Sequence, residues 1–180
     1  MNNTITISQL RPKHGNGLSE SNITIKEGEK WCIGTLEEML MDKRMFVYEM
    51  KRANWIIGDY YDHLWYIWGR TSKTSEESVL KLVRTTDAKY SDDVIGIMEE
   101  KRMLKEKEEY RSALMNGNFD DSSIRGDYKE SIVHCKAREI QLCNGRGDSD
   151  WDIYLRINKE GKVTAFAIIG QDTLKYILDQ

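Results

Sequence analysis

Fourteen consecutive residues carry six large aromatics: Trp55, Tyr60, Tyr61, Trp65, Tyr66 and Trp68, in the run NWIIGDYYDHLWYIW. No other stretch limits the fold as much, since so much ring surface must be buried or committed to a partner. From Met39 the large apolar side chains fall at Phe46, Met50, Ala53, Ile57, Tyr61, Leu64 and Trp68. Those steps of three, four and seven predict one stripe along an amphipathic helix. Thr35 and Glu38 form a Thr-x-x-Glu capping box at its start, and Gly69 supplies its stop. Gly58 marks the expected break in so long a rod. Lys43, Arg44, Lys51, Arg52, Asp59 and Asp62 lie off the stripe.

Two more helices are expected downstream. Thr74 and Glu77 repeat the capping box before Val79, Leu80 and Val83, and Ser91 with Asp92 and Asp93 opens a helix that runs to about Met115. At the N-terminus Thr4 to Ile7 and Asn22 to Lys26 read as the arms of a small hairpin. Beyond Asn116–Asp127 the pattern alternates in SIVHCKAREIQLC, DIYLRIN and KVTAFAIIG, with NKEG as a hairpin turn, so a three-stranded antiparallel meander follows. Asp172 or Thr173 caps a last short helix, LKYILDQ. The expectation is an α+β fold: a mainly helical region 1–120 with short N-terminal strands, and a small α+β region 128–180, or both in one compact domain.

Charge and composition exclude several function classes. Among 180 residues, 27 basic and 30 acidic side chains leave a net charge of -3, far from the profile of a chain that lives on phosphates. No apolar run approaches the ~20 residues of a membrane span. The opening MNNTITISQLRPKHGNG has neither the basic start nor the apolar segment of a secretory leader, and three cysteines are an odd number, so the expected setting is the cytoplasm with reduced thiols.

Several motifs bear on chemistry. Asp148, Asp150 and Asp152 share the spacing of the first three calcium-loop ligands, but Ile153 replaces the required glycine and Lys159 the bidentate glutamate. The Asn116, Asn118, Asp120 series departs further, with Asp121 and Asp127 at those positions. Gly145 to Ser149 spells an adhesion-type tripeptide that reads as a glycine-rich turn. His134 and Cys135 are neighbours and would point to opposite faces of a strand, and no paired C-x₂-C spacing accompanies Cys143. His63 sits one helical turn from Asp59, an expected ion pair, and His14 has no partner nearby in sequence. Neither a metal nor another cofactor is expected. No nucleophile, base and orienting group can be recognised together, so the chain is read as non-enzymatic.

Thr35, Glu37 and Glu38, followed by Trp55 and Ile57 to Asp59 and then by Trp68 and Gly69, resemble a helical DNA-binding-like module of bacterial and phage proteins with a Trp-x-Ile-Gly-Asp centre. The resemblance covers residues 30–105 and implies regulation or handling of DNA on a mobile element. Two functional expectations result. In the first, a regulatory or accessory protein touches DNA through Lys43, Arg44, Lys51, Arg52 and Arg70. In the second, an inhibitor or adaptor binds a protein partner through Trp65 and Tyr66, which fall off the apolar stripe and are expected at the surface. In the first reading the C-terminal α+β piece forms a homodimer or holds a partner; in the second the polar third helix joins Trp65 and Tyr66 as the contact surface.

Overall fold

A computed structural model describes residues 3–10, 18–35, 47–61, 65–88, 94–101, 104, 132–134, 139–143, 149–171 and 175. Among them the backbone is almost entirely β. The order is β1 (Thr4–Thr6), α1 (Ile7–Leu10), β2 (Leu18–Ile25), β3 (Lys30–Thr35), β4 (Val47–Glu49), β5 (Ala53–Tyr61), β6 (Trp65–Thr71), β7 (Val79–Ala88), β8 (Val94–Glu99), β9 (Ile132–His134), β10 (Glu139–Cys143), β11 (Ser149–Ile157) and β12 (Val163–Gly170). A seven-stranded sheet runs β1-β7-β11-β12-β6-β5-β2, and a five-stranded sheet runs β4-β3-β8-β10-β9. Every ladder between these strands is antiparallel.

The expected α+β fold with long helices is therefore overturned. The aromatic run is a hairpin, β5 against β6, with Gly58 opposite Trp68 and Tyr60 opposite Tyr66. The segment after Thr74 is a turn leading into β7, and Val94–Glu99 is strand β8, giving way to helical backbone at Glu100, Lys101 and Leu104. The expected N-terminal hairpin also dissolves, because β1 pairs with β7 and β2 with β5. Of the expected meander only β11–β12 are neighbours; β10 lies in the small sheet between β8 and β9. Gln171 and Lys175 are helical, and the rest of the expected last helix lies outside the described residues, as does the expected 116–127 boundary. Both sheets draw strands from either side of that boundary.

The helical reading failed for a physical reason. Period-two alternation marks a sheet with one face in water, whereas a sheet buried on both faces is apolar at nearly every position. The middle of the large sheet, β6, β11 and β12, is of the second kind. On one face Ile23, Ile25, Trp55, Ile57, Ile67, Trp151, Ile153, Leu155, Phe166 and Ile168 pack against Trp31, Ile33 and Ile97 of the small sheet. On the other, Tyr66, Trp68, Leu80, Tyr154, Ala165, Ala167 and Ile169 pack with Ile5 and with Ile7 and Leu10 of α1. Strand β12 is consequently buried from Val163 through Ile169. Each large side chain so enclosed contributes about 1.5–3 kcal/mol.

Two irregularities keep the apolar residues in phase. Across β7–β11, Ile153 faces Arg84 and Tyr154 faces Leu82, which leaves Val83 as an extra residue. This bulge brings Arg84 round to the side of the small sheet, where its guanidinium donates to the Ile33 carbonyl. Across β11–β12, Arg156 faces Ala165 and Ile157 faces Val163, so Thr164 is the extra residue and Val163 returns to the inter-sheet core. The NKEG turn forms as the sequence predicts. Gly161 (φ 80°) donates to the Asn158 carbonyl at 3.0 Å, and Asn158 Oδ1 accepts from the amides of Glu160 and Lys162, both at 3.0 Å.

Candidate functional site

Of the residues expected to grip DNA, the structure describes Lys51, Arg52 and Arg70. Lys43 and Arg44 lie outside the described residues. Lys51 and Arg52 occupy the bend between β4 and β5, where the Lys51 amide donates to the Val163 carbonyl at 2.9 Å and its carbonyl accepts from Trp55 Nε1 at 2.9 Å. That bend meets the β2–β3 and β11–β12 turns at one end of the sandwich. Lys162 Nζ stands there 3.1 Å from Glu27 Oε1 and 3.8 Å from both Glu49 Oε1 and Glu160 Oε2. The hydrogen bond and charge of Lys162, helped by the fields of Arg52 and Lys51, hold the Glu27 carboxyl below its ordinary pKa. The same glutamates raise Lys162. Positive charge at this end is thus met locally by carboxylates.

Arg70 works inside the protein. It projects from β6, donates Nη1 to the Thr74 carbonyl at 2.9 Å and places Nη2 3.3 Å from Glu76 Oε1. Thr71 and Thr74 share a hydroxyl hydrogen bond of 2.6 Å beneath it. The Glu76 carbonyl accepts the Ser8 amide at 3.1 Å, so the arginine ties the turn and the turn ties α1.

Of the two expected protein contacts, one is buried. Tyr66 is 2% exposed and its hydroxyl donates to the Leu10 carbonyl, which makes it a core residue rather than a surface anchor. Trp65 opens β6 opposite Tyr61. Asp150 is exposed on β11 and Asp152 is buried there, accepting from Thr85 Oγ1 at 2.8 Å and Gln171 Nε2 at 3.0 Å, so this part of the aspartate series is strand and not loop. Asp148 and residues 144–147 lie outside the described residues, as do His14, His63, Cys135 and the Asn116 series. Among the described residues no three His, Cys, Asp or Glu side chains converge to hold a metal.

What the sequence reading missed is a ledge. Leu80 and Leu82 point to the α1 side of the large sheet, so Val79 and Lys81 between and before them face the other way, toward the side that carries the inter-sheet core. On β11, Ile157 follows Ile153 and Leu155 on that same side. Yet Val79 is 51% exposed, Ile157 48% and Val83, in the bulge, 40%. The Leu155↔Lys81 pairing, continued by two residues, sets Ile157 beside Val79. Val79 and Ile157 thus stand exposed on the side of the large sheet that carries the inter-sheet core. The only sequence signal was the in-phase run Trp151, Ile153, Leu155, Ile157, which gives the face but not where its cover ends.

Two titratable groups in the core are silenced. Burial, with the charge of Glu100 nearby, pushes the Cys32 thiol up to about 12, and burial beside Asp152 pushes Tyr154 up to about 12. Neither is poised as a nucleophile or base near neutrality. No family model, curated protein or solved structure matches the chain.

Proposed function

We propose that the chain is a non-enzymatic regulatory or accessory binding protein whose partner is another protein, held on the Val79–Ile157 ledge. One observation carries this reading: β-branched side chains of two adjacent strands stand about half exposed on a face that is core elsewhere. Monomers seldom leave clustered apolar surface uncovered without a use for it. Over the alternative ligand, DNA, a protein partner is favoured by the described basic residues: Arg70 bonds Glu76 and Thr74, and Lys51 and Arg52 lie in the field of Glu27. No helix among the described residues is long and apolar enough to cross a membrane.

The test is capture from the native host with the full-length chain. A protein retained by the wild type, lost with Val79→Asp/Ile157→Asp and kept with Lys51→Ala/Arg52→Ala is the expected result. Duplex DNA bound at low salt, weakening steeply as salt rises and weakened by the Lys51/Arg52 double variant, would overturn it.

A further inference from the structure

We infer that the outer edge of β1 accepts an extended peptide as an added strand, and that the Gln9 carboxamide fills that strand's place until the peptide arrives. This deepens the protein-partner reading and rests on it. Strand β1 is the edge of the large sheet. Its hydrogen-bonding parity follows from two facts: the Leu82 amide donates to the Asn3 carbonyl at 2.8 Å, and Ile5 lies opposite Leu80. Residues 3 and 5 therefore turn their peptide groups toward β7, and Thr4 and Thr6 turn theirs outward. The Thr6 amide agrees, for it donates to Gln9 Oε1 at 2.8 Å. A side-chain carbonyl thus stands where a neighbouring strand would present a backbone one.

That contact is exposed, so exchanging it for a peptide carbonyl costs little. Beside it lies a groove of about 530 Å³ lined by Thr4, Thr6, Ser8, Gln9, Glu77 and Val79. Added strands gain affinity from backbone bonds and selectivity from alternate side chains. Here the walls specify those side chains. Val79 offers apolar surface for a β-branched residue, and the exposed Glu77 carboxylate, with no cation among the lining residues, favours a lysine or arginine. Three residues of strand span about 10 Å, enough to pair two or three residues of the guest.

The probe is a capped pentapeptide, serine–valine–serine–lysine–serine, which puts the valine and the lysine on one face, titrated into the ¹⁵N-labelled chain. Saturable amide shifts at Thr4, Thr6, Gln9 and Val79 are expected, with slowed hydrogen exchange at Thr4. Methylating the peptide's central backbone nitrogens should abolish them, and replacing its lysine with glutamate should weaken them. Gln9→Ala, which removes the placeholder, should tighten binding roughly two- to tenfold. Absence of saturable shifts in both wild type and Gln9→Ala at millimolar peptide overturns the inference. So does self-association of Gln9→Ala without peptide binding, which would make Gln9 a guard against a second copy. A partner that needs Val79 and Ile157 but leaves Thr4 exchange unchanged overturns strand addition while the protein-partner reading stands.

Discussion

The indole of Trp68 stands against Gly58 across the β5–β6 ladder, so close that a β-carbon on Gly58 would sit 2.3 Å from its Cε2 and Cζ2. The neighbouring pair repeats the device on the opposite face, where Phe166 and Ile57 occupy the space that a β-carbon on Gly69 would need, at 2.4 and 2.7 Å. Packing favours glycine at both positions, since a side chain there would have to displace a fully buried ring. Trp55 and Phe166, with centroids 6.2 Å apart, extend that ring packing through the core.

Gly58→Ala should therefore destabilise the fold by about 1–3 kcal/mol through overpacking, read as a lower urea midpoint at unchanged slope. In the double variant with Trp68→Leu the cost of the alanine should shrink. A glycine-to-alanine penalty that is the same in both backgrounds would show that the ring is not what excludes a side chain there.

Removing the Arg70 clamp should cost about 1.5–3 kcal/mol, because its hydrogen bonds involve a charge and it is mostly buried. Arg70→Lys should recover only part, since an ammonium cannot reach the Thr74 carbonyl and the Glu76 carboxylate with the same fork. Hydrogen exchange should quicken at Thr74 and Ser8, the two amides held in or through this turn.

Val83 is predicted to be dispensable both as a side chain and as a residue. Val83→Thr keeps the bulge and should change stability by under about 0.5 kcal/mol. Deleting Val83 leaves Leu82 opposite Tyr154 and Arg84 opposite Ile153 in a regular ladder, so Arg84 keeps its side and its bond to the Ile33 carbonyl and the cost should stay under about 1 kcal/mol; a larger loss in thermal unfolding would show that the ladder needs the extra residue.

Alkaline pH should unfold the protein early. Cys32 and Tyr154 are both raised to about 12 from ordinary values of 9.0 and 10.0, so the folded chain keeps protons that the unfolded chain gives up. Their contribution is complete below pH 9 and declines as pH climbs from there to about 12. Cys32→Ala should flatten the lower part of that decline, and native Cys32 should resist thiol reagents at pH 8. Rapid modification of Cys32 without unfolding would contradict its burial.

Where the chain has a local turn code, its structure was legible. The turn between DIYLRIN and KVTAFAIIG follows from Asn158 and Gly161, whose backbone needs lie within five residues, and it makes the two flanking runs the arms of a hairpin although both are covered on both faces. Around Trp55 to Trp68 the same reading misled. Residues such as Ile56, Ile57, Ile67 and Trp68 are apolar on both faces of one sheet, and a stripe of three and four steps can be drawn through any such run. Arg70 looked like a free cation because the acid that meets it, Glu76, follows a turn that the capping box at Thr74 disguised as a helix start.

The amino-acid order by itself settled what is decided by near neighbours: the Asn158–Gly161 turn and the extended character of the two strands it joins. Tertiary structure alone decided which strands pair, that both faces of the large sheet are covered, and where the cover stops at Val79 and Ile157. Those outcomes depend on contacts between residues such as Ile5 and Leu80 or Arg84 and Ile33, more than fifty positions apart, and burial at such separations leaves no local period to read.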